Sequence, residues 1–133
     1  MCIRDSYETI DPALLIAALE VFDGMERITL VFDRICTFDA DPLVLWLAPR
    51  RDPGLLDVQA RLHGRIGAER SDPHYRPADW HPHCTIASSI LPEHRRAAER
   101  FAAEPIEPFA MVFDAADALE WLPVVELGSR SLL

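Results

Sequence analysis

Apolar residues recur along this chain with two different periods, and the changes of period mark out its elements. Asp11-Pro12 has the form of a helix start, an Asp cap followed by Pro in the first turn. Leu14, Leu15, Ala18, Leu19 and Phe22 follow at helical spacing until Gly24 ends the run. Residues 27–34 (RITLVFDR) switch to a strand composition rich in β-branched and aromatic residues, running on toward Phe38. Asp39-Ala40-Asp41-Pro42 marks a turn, and the short continuous apolar run at 43–48 (LVLWLA) has the length of a buried strand. These two strands are expected to pair antiparallel and to belong to the core.

A second helix opens after Arg50-Arg51-Asp52-Pro53-Gly54, with Leu55, Leu56, Gln59, Leu62 and Ile66 along one stripe and Gly67 at its end. His63 stands beside that stripe, where a lone histidine reads as a boundary residue. Residues 69–80 show no periodicity and form the longest irregular stretch in the chain. Tyr75, Arg76 and Trp80 within it suit stacking on a base or gripping a phosphate, and equally suit capping a core. A third helix is predicted over 92–103, with Arg95, Arg96 and Arg100 on a solvated face and Ala97, Ala98 and Phe101 turned inward. Residues 109–113 and 118–126 read as two strands joined by a turn at Asp114-Ala115-Ala116-Asp117. Short helices mixed with hairpin-like strands predict an α+β fold built on antiparallel sheet.

The chemistry concentrates at residues 80–88 (WHPHCTIAS). On a regular strand His81, His83, Thr85 and Ala87 share one face, while Cys84 and Ile86 share the other. The face then sets an imidazole, able to give or take a proton near neutral pH, beside a hydroxyl that can hold an oxyanion. Small Ala87 would leave the strand open next to them.

Composition narrows the partners. The chain has 133 residues, half of them apolar, and a formal net charge of −9, so it has no broad basic face to neutralise phosphates. A nucleic-acid partner is expected to be small or gripped at its end. All thirteen basic residues are Arg, which supplies planar forks for phosphate and excludes lysine Schiff-base chemistry. Cys2, Cys36 and Cys84 are odd in number and far apart, forming neither a disulfide framework nor a zinc knuckle. With no signal-like or membrane-length apolar run, a cytoplasmic protein is expected.

His83-x-Thr85-x-Ala87, approached through Tyr75-Arg76-Pro77 and Trp80-His81-Pro82, resembles the second His-x-Thr motif of the 2H phosphoesterase superfamily, in particular its 2′-5′ RNA ligase-like members. The order of strand, helix, irregular loop, motif, helix and two terminal strands also follows that family, and the resemblance spans residues 11–133. It implies a bilobal fold, each lobe a small antiparallel sheet flanked by helices, with one His-x-Thr or His-x-Ser per lobe facing a cleft. It further implies phosphodiester chemistry in which one histidine is the general base and the other the general acid. The paired hydroxyls would hold the non-bridging oxygens, without metal or cofactor. Substrates implied are RNA ends with a 2′,3′-cyclic phosphate, or 2′-5′ linkages in small nucleotides. Only His83 and Thr85 match catalytic positions; Tyr75, Arg76, Trp80 and His81 are candidates for substrate contact.

One departure is plain: His63, His74 and His81 are followed two residues on by Arg65, Arg76 and His83, so no His-x-Thr or His-x-Ser precedes His83. In the family the first motif lies just before the helix that here starts at Asp11. Residues 1–6 (MCIRDS) are therefore expected to be a leader foreign to the fold, and 7–133 a single domain whose first lobe lacks its first strand and motif. Such a chain would turn over poorly. Two rival readings stand beside this one. A non-catalytic nucleotide or RNA-end binding domain would have the fold without one histidine. A metal-binding protein would use His74, His81, His83 and Cys84 as nitrogen and sulfur ligands.

Overall fold

The computed structural model describes residues 11–70, 73–120 and 123–133. Its elements are α1 (Pro12–Ala18), β1 (Ile28–Phe38), β2 (Leu43–Pro49), α2 (Pro53–Ile66), β3 (Cys84–Ile90), α3 (Arg95–Ala102), β4 (Phe109–Phe113), β5 (Ala115–Glu120) and β6 (Val125–Ser131). The fold is α+β, with a four-stranded sheet ordered β3-β2-β1-β4 and a separate β5-β6 hairpin. Residues 1–6, expected as a leader, lie outside the described residues. No helix among the described residues is long and apolar enough to cross a membrane.

The chain divides into two compact units, each assembled from separate stretches. The first gathers the described part of Met1–Ile28 with Asp52–His81 and Val112–Leu133. Asp11 caps α1 by accepting a hydrogen bond from the Ala13 amide at 2.9 Å. The helix then tightens into a 3₁₀ turn at Leu19–Phe22, and Gly24, at φ 71°, releases the chain. Asp52 caps α2 through the Leu55 amide at 2.7 Å, and Gly67, at φ 98°, ends it. Leu19, Phe22, Val58, Leu62, Ile66, Ala116 and Leu132 close the core of this unit. Burying each large aliphatic or aromatic side chain there contributes about 1.5–3 kcal/mol.

The end of the chain differs from the sequence-based expectation. Residues 114–117 are not a turn: Ala115–Glu120 forms β5, paired antiparallel with β6 from Ala115↔Ser131 to Glu120↔Val125. Ala and Asp carry little strand propensity, and tertiary pairing overrides it. Ala116, 5% exposed, enters the core, and a Cβ on Gly128 of β6 would come within 3.3 Å of Leu19 Cδ1. Leu133 exchanges backbone hydrogen bonds with Met25 and Arg27, fastening the last residues to the core.

The second unit comprises Thr29–Arg51 and Pro82–Met111. β1 and β2 pair antiparallel as expected, from Phe38↔Val44 to Phe32↔Pro49, across a turn with a cis Asp41-Pro42 peptide. Ile35, Leu43, Leu45 and Ala98 make its core, with Leu47, Ala87, Ile90, Ala102 and Ile106 packed around them. α3 therefore meets the sheet through Ala98 and Ala102, one turn apart. Ala97 is exposed, and Phe101 is 48% exposed instead of facing inward. Two alanines allow a close helix-to-sheet approach that leaves the bulky Phe101 on the flank. Arg95 is not simply solvated: it pairs with Glu99 at 3.1 Å and with Asp39, and it reaches the Ala40 carbonyl at 3.5 Å. The Glu99 hydrogen bond first, and Asp39 after it, raise its pKa above the usual guanidinium value.

Candidate functional site

β3 places the motif, and it does so by breaking the regular pleat. Its partners on β2 are Leu47↔Cys84, Trp46↔Thr85, Leu45↔Ala87 and Leu43↔Ile90, with register shifts on either side of Leu45. Thr85 to Ala87 spans two steps against one on β2, and Ala87 to Ile90 spans three against two. Each interval therefore holds one extra residue on β3, a β-bulge. Burial follows with a period of three: Cys84, Ala87 and Ile90 are half-buried, while Thr85, Ile86, Ser88 and Ser89 are exposed. Ser89 has φ 59°, the left-handed conformation that lets the second bulge form.

This register corrects the regular alternation drawn from the sequence. Ala87 pairs with Leu45 and packs in the core beneath α3, so it does not open the face beside Thr85. Cys84 pairs with core-facing Leu47, opposite in sense to Thr85, as alternation requires. Thr85, paired with Trp46, is on the face turned away from α3, and Ile86, Ser88 and Ser89 are exposed.

His83 lies on that same face, half-buried, just before β3 begins. Its ring stands edge-on to Phe38 (centroids 5.1 Å apart, 88° between planes) and to Trp46 (5.9 Å, 71°). Phe38 and Trp46 stack on each other at 4.7 Å and 17°. Edge-to-face and offset-stacked pairs at these distances contribute about 0.5–1.5 kcal/mol beyond area burial. The aromatic pair thus fixes the plane of the imidazole. Trp46 is also the cross-strand partner of Thr85, so one residue sets the position of both. The residue is 7% exposed, and its indole Nε1 is buried with no hydrogen-bond partner among the described residues. Sequence reasoning assigned Phe38 and Trp46 to the core alone. The one available signal was an aromatic interrupting an aliphatic run on the strand next to the motif.

The remaining candidates belong to the first unit. Tyr75 is half-buried, and its carbonyl accepts a hydrogen bond at 2.8 Å from the Gln59 side chain, itself 4% exposed. Gln59, read from the sequence as part of an apolar stripe, is the anchor of the irregular loop. The Arg76 carbonyl receives the amides of Asp79 and Trp80, and its side chain is exposed. Trp80 is buried, at 6% exposed, while His81 is exposed. Among the described residues no three His, Cys, Asp or Glu side chains gather as a metal site. Cys84 and His83 are on opposite faces, which separates two of the four ligands considered for a metal; the side chain of His74 lies outside the described residues.

An imidazole braced by two aromatic rings, one strand position from an exposed threonine hydroxyl, can move a proton beside a bound oxyanion. Comparison with known proteins bears on what that oxyanion is. The family model of the 2′-5′ RNA ligase superfamily matches residues 4–123. Neither a curated protein nor a solved structure matches the chain. With the match running over nearly the whole length and including both His83 and Thr85, the chain belongs to the 2′-5′ RNA ligase superfamily.

Proposed function

We propose that this protein binds RNA ends or small nucleotides carrying a 2′,3′-cyclic phosphate or a 2′-5′ linkage, with the phosphate held at His83 and Thr85. The observation that carries the reading is the shared face: His83, fixed by Phe38 and Trp46, stands beside Thr85, whose strand partner is that same Trp46. In ring opening, water attacks phosphorus, the bond from phosphorus to the 3′ oxygen breaks, and a 2′-phosphate remains. One proton leaves the water and one reaches the departing oxygen; His83 carries one of these transfers. The Thr85 hydroxyl donates to a non-bridging oxygen as negative charge builds there. Small substrates are in keeping with a net charge of −9, which disfavours long phosphate backbones. The free thiols of Cys36 and Cys84 among the described residues are in keeping with a cytoplasmic location.

The sequence contains one His-x-Thr, so a second proton carrier for this reaction is not among its motif residues. That observation favours, for the chain by itself, binding over fast turnover, and it supports a second reading as a nucleotide or RNA-end binding domain. Calorimetry with adenosine 2′-phosphate, alongside hydrolysis of 2′,3′-cyclic AMP, tests both. Wild-type protein should bind the monophosphate, and His83→Ala and Thr85→Val should each weaken it by roughly 10- to 150-fold, the loss of one hydrogen bond to a charged group. Hydrolysis should be slow, because a missing general acid or base costs about 10²–10⁴ in rate. Equal affinity in wild type and both variants would sink the site. Rapid hydrolysis abolished by His83→Ala would instead overturn the binding-domain reading.

A further inference from the structure

Resting on that reading, we propose that the exposed face of β3 beyond Thr85 is a second binding strip, on which Ser88 hydrogen-bonds the nucleotide adjoining the phosphate held at His83 and Thr85. Regular alternation would set Ala87 next to Thr85 on this face and end the polar surface there. The two bulges change the sequence of groups. Ala87 turns into the core, Ile86 between it and Thr85 is 43% exposed, and Ser88, exposed and next to Ala87, is the next hydroxyl along the strand. Ser88 and Ser89 together lie opposite Val44 of β2, between the partners of Ala87 and Ile90. Val44 pairs with Phe38 and shares the face of Trp46 and Thr85, and alternation from core-facing Ala87 turns Ser88 to that face.

The spacing suits a second group of the same ligand. Three residues of strand span at most about 10 Å, enough to leave the first phosphate and reach the neighbouring sugar or phosphate. Ile86, between the two hydroxyls, supplies an apolar surface for the sugar between them. Ser89 keeps a non-glycine residue in the left-handed region, a conformation that costs free energy and is found at functional sites. Bulges next to active sites commonly serve to re-aim a side chain, and here the side chain re-aimed is a hydroxyl.

The test compares two ligands on the full chain: adenosine 2′-phosphate, and a diadenylate that ends in a 2′-phosphate. The dinucleotide should bind wild-type protein more tightly than the mononucleotide. Ser88→Ala should remove about 2- to 10-fold of dinucleotide affinity, the worth of one neutral hydrogen bond, with less than a two-fold change for the mononucleotide. Ser88 is exposed, so the variant folds as the parent does. If both ligands bind and Ser88→Ala alters neither, the strip is wrong and the His83–Thr85 site stands. If wild-type protein binds neither ligand, the site and the strip fall together.

Discussion

Two neighbouring strands of one sheet, β2 and β3, divide the labour of this molecule. β2 has buried or half-buried residues throughout, and Leu43, Leu45 and Leu47 face α3 while Val44, Trp46 and Ala48 alternate with them. β3 is paired to it along its length, yet it holds only half-buried and exposed residues and carries one extra residue in each of two intervals. The regular strand provides the frame against which the irregular one displays His83, Thr85 and Ser88. A bulge re-aims side chains reproducibly only where the partner strand does not move with it.

The largest effect should come from removing the residue that links the two strands. Trp46→Ala deletes a 7%-exposed indole, the stacking partner of Phe38 and the edge contact of His83. It should cost about 3–5 kcal/mol, read as a lowered urea midpoint. Trp46→Phe is a sharper probe, because the indole Nε1 has no hydrogen-bond partner among the described residues and burying it so carries a penalty. Losing that penalty offsets part of the lost volume, so this variant should cost about 1 kcal/mol or less. An equal loss in both would show that the indole nitrogen contributes favourably.

Next comes the register of β3. Ala87→Asp places a carboxylate against Leu45 and the core under α3, and it should cost about 2–3 kcal/mol. Ser88→Asp, one residue on, should change stability by less than about 0.5 kcal/mol. Strict alternation from Thr85 predicts the reverse order. Denaturation of the two variants side by side therefore decides whether the bulges exist in solution.

The same contrast explains which parts of the molecule were legible in the sequence. β2 was, because a continuous apolar run of strand length bounded by a turn has few alternatives. The caps at Asp11 and Asp52 and the ends at Gly24 and Gly67 were legible because each has a local steric or hydrogen-bonding cause. His83 and Thr85 stood out in the sequence as residues able to carry chemistry, but the facing of their neighbours did not. A bulge is decided by pairing with a distant strand, and Ile86 and Ser88 leave no local mark of it. The first half of β5 was lost for a similar reason, since Ala115 to Asp117 has turn-like composition and becomes a strand only through pairing with β6. Phe101 was misplaced because helical periodicity gives a stripe and not its width; Ala98 and Ala102 sufficed to meet the sheet.

The smallest expected effect concerns Ser89, where stability and display pull in opposite directions. At φ 59° a residue with a Cβ is strained by roughly 1–2 kcal/mol, and glycine removes that strain. Glycine also gives the unfolded chain more freedom, which takes back about 0.5–1 kcal/mol. Ser89→Gly should therefore stabilise the protein by about 0.5–1 kcal/mol while keeping the bulge, measurable as a raised urea midpoint with an unchanged slope. A loss of stability would mean that the exposed Ser89 hydroxyl contributes more to the folded strand than its conformation costs. A gain would mean that the second bulge is held in spite of strain at Ser89, as expected if the direction of Ser88 matters more to this strand than its own stability.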